Sequence, residues 1–354
     1  MERALVLASR GRGRTSPNPM VGALVVSPDG VVLGHGFHER AGEPHAEVHA
    51  LNMAGDRARG ATLYSTLEPC SHQGRTGPCV DRIVEAGVKR VVAAVEDPNP
   101  LVSGRGLAYL REHGVDVEVG PGRDASIRLN QPFFTLMREG RPFVVLKAAT
   151  SLDGYIAAAA GQRTALTSAD ADRHAHRVRA EIDAIGVGVN TVIVDDPLLT
   201  ARGAYRERPL VRVIFDRRLR TPAGARVLST GEAGPVIIVT TPAAAARREL
   251  RQPLEDRGAV LEVVESAGLG GALGALGARG IGSLLLEGGT IIHRAAWDGD
   301  LVDYVRLYVT PHIIGPGGVP FLGDSAFSSA ALLERHIEPL GPDTVIEGYV
   351  HGPR

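Results

Sequence analysis

Pro44-His45-Ala46-Glu47-Val48-His49-Ala50-Leu51, followed by Glu68-Pro69-Cys70 and by Pro78-Cys79, are the segments from which the N-terminal fold is read. One imidazole and two thiolates make three ligands of the kind zinc prefers. Three protein ligands leave a fourth position open, which distinguishes catalytic from structural zinc. Glu47 stands two residues after His45 in the first turn of a helix predicted over 47–57. From there its carboxylate can face a water in the open position without binding the metal. Cys70 follows a β-rich run at 62–66, and Cys79 heads a helix predicted over 79–86. Taken alone, His45 would be an ordinary hydrogen-bonded histidine, and the cysteines small buried hydrophobes. Their order, and the proline before Cys70, point to a metal centre instead.

Outward from these segments, short β-rich runs at 21–26, 62–66, 91–95 and 115–119 alternate with helical stretches at 47–57, 79–86 and 106–113. That is the pattern of a layered α/β domain. Residues 120–142 form a polar, punctuated passage ending in Gly140-Arg141-Pro142, and the strand-like run 143–148 opens a second series. A chain of 354 residues suits two domains, here expected at 1–142 and 143–354. Strands are predicted in the second at 185–189, 211–215, 236–240, 260–264, 283–286 and 305–310. Thr167-Ser168-Ala169-Asp170 fits a capping box opening a helix over 169–182. The Gly- and Ala-rich stretch 267–280 reads as a loose helix. Gly288-Gly289 precedes a helix starting near Thr290, whose free N–H groups suit phosphate oxygens; a plain strand-to-helix turn is the alternative. No GxGxxG follows a strand, so a nicotinamide cofactor would not be held in the usual Rossmann manner.

Lys plus Arg (39) nearly cancels Asp plus Glu (40), and aromatics are 4%. Neither the basic field nor the stacking platform that nucleic acids need is evident. The two cysteines fall within one ten-residue stretch, a poor disulfide framework and a good metal pair in a reducing compartment. No apolar run approaches the ~18 residues of a membrane span. A cytoplasmic protein acting on small molecules, without membrane or nucleic-acid partners, is expected.

Histidine, a glutamate two residues on, and a Pro-Cys form the signature of zinc deaminases, in which the glutamate relays protons to a ring nitrogen and the departing amine. Eight residues, 71–78, separate the cysteines here rather than the commoner two, which points away from cytidine and base-editing enzymes. The insert Ser71-His72-Gln73-Gly74-Arg75-Thr76-Gly77-Pro78 joins Thr15-Ser16-Pro17-Asn18-Pro19-Met20-Val21-Gly22, His45 to Leu51, and Asp97-Pro98-Asn99-Pro100. Together they resemble the bifunctional deaminase–reductase family of riboflavin biosynthesis. The resemblance continues through Leu129-Asn130 with Phe133-Phe134 in the linker, Lys147, Ser151-Leu152-Asp153-Gly154, Asp195-Asp196-Pro197 and Glu287-Gly288-Gly289.

The resemblance implies a cytidine-deaminase-like three-layer N-terminal domain and a dihydrofolate-reductase-like C-terminal domain, assembled as a homo-oligomer. It implies zinc on His45, Cys70 and Cys79, with Glu47 as acid/base, removing the 2-amino group of a diaminopyrimidinone ribotide. Asn18, His38, Arg75, Asp97 and Asn99 match substrate positions there, with amide and carboxylate groups suiting ring edges and a cation suiting phosphate. The second domain would reduce the ribose to a ribityl chain with NADPH. Lys147, Arg163, Arg179, Leu199, Arg202 and Glu287 match its substrate positions. Thr150, Ala165, Thr191, Asp195, Gly289, Thr290, Ile291, Ile292, His293, Arg294 and Ala295 match cofactor positions. The chain departs from the family pattern at Gly77, commonly Pro; at Ala165, commonly Trp; at Arg163, commonly a small polar residue; and at Arg217, commonly Ser. Three other readings remain open at this point: a nucleoside or tRNA deaminase, a non-catalytic binding or oligomerisation C-terminal half, and a purely structural zinc.

Overall fold

Alternation along the first strands sets up two buried faces. In chain order the first part runs α1 (Glu2–Ala8), β1 (Gly22–Val26), β2 (Val32–Phe37), α2 (Ala46–Ala54), β3 (Thr62–Ser65), α3 (Cys79–Glu85), β4 (Arg90–Ala93), α4 (Arg105–Glu112), β5 (Asp116–Val119), α5 (Arg123–Leu129) and α6 (Gln131–Glu139). The strands form one sheet, β2-β1-β3-β4-β5, in which β1 is antiparallel to both neighbours and β3, β4 and β5 are parallel. Ala23, Val25, Leu63 and Val91 point one way, into a core with Ala46, Ala50 and Leu51 of α2 and Val80 and Ile83 of α3. Leu24 points the other way, against Ala4 and Leu7 of α1. Helices on both faces make three layers. The computed structural model describes residues 1–71, 77–265 and 268–352, and the chain divides into two units, Met1–Gly140 and Arg141–Gly352.

Glycine lets the helices approach the sheet. A Cβ on Gly22 would lie 2.0 Å from the Ala4 carbonyl oxygen of α1, and one on Gly34 2.1 Å from that of Ala50 of α2. Gly34 and Gly36, within β2, also hide that strand from a propensity-based reading, because they dilute the β-branched pattern that marks a strand. The passage at 120–142 is not the linker expected: it folds as α5 and α6, and Phe133 and Phe134 join the core of the first unit. Gly122 and Gly140, both at positive φ, bound these short helices. The Asn130 amide accepts from Met20 N (2.7 Å) and donates to Met20 O (2.9 Å), fastening α6 to the segment before β1.

The second unit runs β6 (Phe143–Thr150), β7 (Tyr155–Ala157), α7 (Ala169–Glu181), β8 (Ala184–Gly188), α8 (Val189–Asp195), β9 (Val211–Phe215), β10 (Val236–Thr240), α9 (Pro242–Ala245), α10 (Arg248–Glu255), β11 (Val260–Val263), α11 (Leu269–Ala278), β12 (Ser283–Glu287), α12 (Thr290–Asp298), β13 (Tyr304–Val309), β14 (Val319–Pro320), β15 (Leu333–Leu340) and β16 (Asp343–Tyr349). Nine strands form one sheet, β11-β10-β9-β8-β12-β6-β13-β16-β15, parallel from β11 to β13 and closed by an antiparallel hairpin. The Ser168 hydroxyl, rather than Thr167, caps α7 by accepting from Ala171 N. Period-2 alternation puts Phe143, Val145 and Leu285 on the α7 side, and Val144, Leu146 and Leu284 on the α11 side. The carboxyl ends of β6, β8, β9, β10 and β12 therefore share one edge of the sheet, where open α/β sheets bind ligands.

Gly36 tests the close approach of α2, since an added Cβ would lie 2.4 Å from His49 Cβ and 2.6 Å from the Ala46 oxygen. Gly36→Ala should lower stability by about 1–3 kcal/mol, read from the urea midpoint. An unchanged midpoint would contradict this packing.

Candidate functional site

In the first unit, three segments converge on one point. His45 is the N-cap residue of α2, Cys79 the first residue of α3, and Cys70 lies beyond β3. His45 Nδ1 is 3.2 Å from Cys79 Sγ and 3.4 Å from Cys70 Sγ. All three donor atoms lie within 4.8 Å of one another, and no other such group occurs among the described residues. Zinc bonds of about 2.3 Å to sulfur and about 2.0 Å to nitrogen, at tetrahedral angles, place those atoms about 3.5 Å apart. The donor set fits zinc. The groups share protons: Cys70 is pulled down to about 4, chiefly by the Cys79 thiol and also by His45. Cys79 is pushed up by Cys70 and by burial, while the bond to Cys70 raises His45 to about 9.

Glu47 is 3% exposed and lies beside the ligands, Oε2 being 3.7 Å from Cys79 Sγ and Oε1 accepting from Ser65 Oγ at 3.1 Å. Burial raises its pKa, with His45 opposing, and a carboxyl tuned upward suits proton transfer near neutrality. His38 is buried against His45, ring centroids 5.4 Å apart. Its Nδ1 lies 3.3 Å from the Pro44 carbonyl, which can only accept, so Nε2 is left to accept from Asn18 Nδ2 at 3.3 Å. Burial pushes Asp97 up to about 6. Asp97 Oδ1 accepts from Asn99 N, and Asn99 Oδ1 from Leu101 N, so this pair builds its own turn. Arg75 lies outside the described residues.

Glu68, which sequence reasoning did not single out, is also buried here. Its buried carboxylate accepts four backbone N–H groups, from Asp97, Gly104, Gly106 and Leu107, at 2.9–3.3 Å. It thereby holds the Asp97 turn and the start of α4 beside Cys70. The signal available was a charged residue between a strand and a ligand, where an apolar one would be ordinary.

In the second unit, adjacent strands place Lys147 beside Glu287 in register, and α7 brings Arg179 over them. Arg179 makes a bidentate pair with Glu287 at 2.8 and 2.7 Å and donates to the Thr200 carbonyl. Lys147 Nζ is 4.0 Å from Glu287 and 5.2 Å from the Tyr308 ring centroid. Burial pushes Glu287 up, but Arg179 and Lys147 outweigh it and hold the carboxyl at about 2. This cluster borders a cleft of about 1480 Å³, which is also lined by Arg163, Leu199, Arg202, Thr191, Asp195, the stretch Gly289 to Ile292, and Ala295. Thr191 and Asp195 share one face of α8, a helix that the sequence analysis did not predict. Leu199 is buried with φ +53, a backbone state leucine rarely adopts. The Arg202 N–H is held by His176 Nδ1.

Four expected cofactor positions are not in the cleft lining. Thr150 is buried where β6 ends, its carbonyl accepting from Thr310 N; Ala165 is exposed in the loop before α7. His293 is fully buried on α12 against Phe321, and burial pushes it down to about 4. Arg294 pairs along the exposed face of α12 with Asp298.

Residues 1–95 match the cytidine and deoxycytidylate deaminase zinc-binding region, and residues 142–346 the RibD C-terminal domain. The riboflavin biosynthesis protein RibD of Aquifex aeolicus is 42% identical over 98% of this chain and 96% of its own length. That of Escherichia coli is 42% identical over 89% of this chain and 88% of its own. The chain belongs to the RibD family. It is a bifunctional riboflavin-biosynthesis enzyme, a zinc-dependent deaminase joined to an NADPH-dependent reductase. Among solved structures, Acinetobacter baumannii RibD superposes with a TM-score of 0.86 at 37% identity, covering 98% of this chain and 96% of that one. A Thermotoga maritima diaminohydroxyphosphoribosylaminopyrimidine deaminase/5-amino-6-(5-phosphoribosylamino)uracil reductase superposes at 0.82 with 34% identity, covering 98% and 96%. The cytidine-deaminase-like and reductase folds expected from the resemblance are those observed.

The Glu287 cluster has a defined pH signature. A carboxyl depressed from 4.5 to about 2 stabilises the folded state fully above pH 4.5, and that contribution is lost as pH falls through about 2. Glu287→Gln should cost roughly 3 kcal/mol at pH 7, a gap that narrows between pH 4.5 and 2. Urea titrations across that range check it, and a pH-independent gap would contradict it.

Proposed function

We propose that the first unit removes the 2-amino group of 2,5-diamino-6-(5-phosphoribosylamino)pyrimidin-4(3H)-one, and that the second reduces the ribosyl chain of the product to ribityl. The convergence of His45, Cys70 and Cys79 beside buried Glu47 carries this reading. Zinc held by the three ligands supplies a water acidified for attack at neutral pH. Glu47 would take that proton and deliver it to the ring nitrogen next to C2, then carry the second proton, from the hydroxyl added at C2, to the amine, which leaves as ammonia while the water oxygen stays on carbon as the carbonyl. Ser65 orients the Glu47 carboxylate throughout. Asn18 and His38, locked by their shared hydrogen bond, face the ring together with Asp97 and Asn99, and Arg75 takes the phosphate.

In the second unit NADPH supplies the hydride. The start of α12 behind Gly289 receives its pyrophosphate, supported by the free N–H groups of a helix N-terminus in the cleft wall. Thr191 and Asp195 contact the cofactor from α8. Glu287, held ionised by Arg179 and Lys147, accepts from the ribose hydroxyls, while Arg163, Leu199 and Arg202 bound the rest of the substrate. Water provides the proton that completes the alcohol. No helix among the described residues is long and apolar enough to cross a membrane, and in this reading the enzyme works as a cytoplasmic homo-oligomer on a small-molecule ribotide.

A paired assay tests the proposal. Zinc-loaded protein should release ammonia from the ribotide and then oxidise NADPH. Glu47→Gln should cut ammonia release by about 10²–10⁴-fold with one zinc still bound, while reducing deaminated substrate normally. Absence of ammonia from the wild type would sink the substrate assignment. Ammonia without NADPH oxidation would reduce the second unit to a binding module.

A further inference from the structure

Residues 199–206, a segment without helix or strand, are fastened to α7 at three points. Arg179 donates to the Thr200 carbonyl at 3.1 Å. The Arg202 N–H donates to His176 Nδ1, also at 3.1 Å. Arg206 reaches back to the end of α7 and donates to the carbonyls of Arg179 at 3.1 Å and Ala180 at 2.9 Å. Between the first two ties the chain is set in an unfavourable shape, Leu199 standing at φ +53, which persists only where surrounding contacts impose it. Leu199 and Arg202 line the cleft beside Glu287, whereas His176 itself lies outside the cleft lining. The ties differ in chemistry. Arginine keeps its charge across the working pH range, but an imidazole Nδ1 accepts only while the ring is neutral with its proton on Nε2.

Resting on the reading of Leu199 and Arg202 as substrate contacts, we infer that His176 is a positioning residue for the reductase: its neutral ring holds the Arg202 main chain so that this segment meets the ribotide, and its protonation frees the segment and weakens substrate binding. In the imidazolium form Nδ1–H would face the Arg202 N–H, donor against donor, and the tie is lost. His176 and Arg179, three residues apart, share one face of α7, so one helix face fixes both the Glu287 pair and the segment beside it. Burial, then Arg179 on the same helix and Arg202 on the segment, push the His176 pKa below 6.5, with the Thr200 backbone and Glu287 of β12 opposing. The resting state near neutrality is therefore the one that accepts. His174, two residues earlier, is engaged elsewhere, its Nδ1 lying 2.8 Å from the Tyr308 hydroxyl.

Steady-state reduction of the deaminated ribotide by NADPH, compared among the wild type, His176→Leu and His176→Asn from about pH 8 to about pH 5, decides the matter. Asparagine offers an oxygen acceptor close to the place of Nδ1 and does not titrate. At the upper end, His176→Leu should raise KM for the ribotide about 3- to 10-fold, leaving kcat and KM for NADPH near the wild-type values, and His176→Asn should restore it. The ribotide phosphate titrates near pH 6 and His174 titrates in every variant, so the pH readout is a ratio. Wild-type KM divided by that of His176→Asn should rise as pH falls below 6.5. A ratio constant with pH, an unchanged ribotide KM in His176→Leu, or a loss confined to kcat would overturn the inference while leaving the cleft reading in place. Should the leucine variant fail to fold, the ratio still decides. A wild type that oxidises no NADPH with this substrate would instead overturn the cleft reading itself, and the inference with it.

Discussion

Two thiols, an imidazole and a carboxylate held in contact with little access to water form the constraint around which the first unit is organised. Glu47 is buried against sulfur ligands that carry negative charge when they bind metal, and such a grouping is unfavourable unless a cation offsets it. Zinc provides that cation, so metal binding and local folding are one equilibrium. The surrounding architecture brings the ligands close. Glycines in β2 admit α2 against the sheet, α3 delivers Cys79 at its first turn, and the Glu68 carboxylate gathers four backbone N–H groups so that the loop after β4 closes beside Cys70.

The second unit solves a similar problem with fixed charges. Glu287 is as deeply placed as a reacting carboxylate needs to be, but its compensation is permanent: a bidentate guanidinium from α7 and an ammonium from the neighbouring strand. Strand register and the position of α7 dictate that convergence. A catalytic cleft at the carboxyl edge of a parallel sheet follows from the same topology, since every crossover helix leaves its strand on that edge. Two chemistries, one built on a metal and one on a cofactor, thus occupy one chain through two ways of stabilising a buried carboxylate.

Much of this was readable in the residues. The grouping of His45, Cys70 and Cys79 beside Glu47 and the strands at 211–215 and 236–240 were legible in residue type, order and period, because each is a local property. What escaped the reading depends on distant partners. Phe133 and Phe134 look like linker residues until the core they fill is known, and Gly34 and Gly36 disguise β2 because their reason lies in α2. Arg179, read in isolation, is a solvated helix cation; only the register of β6 with β12 shows the pair it completes. Asp97 and Asn99 make a turn through their own backbone contacts, and the Glu68 carboxylate that holds it is distant in sequence.

X-ray absorption at the zinc edge of the protein carrying one equivalent of zinc tests the central claim most directly. The account predicts two sulfur scatterers at about 2.3 Å and two nitrogen or oxygen scatterers at about 2.0 Å, one of them exchangeable solvent. A shell of four protein ligands, or one lacking two sulfurs, would contradict a catalytic metal on His45, Cys70 and Cys79.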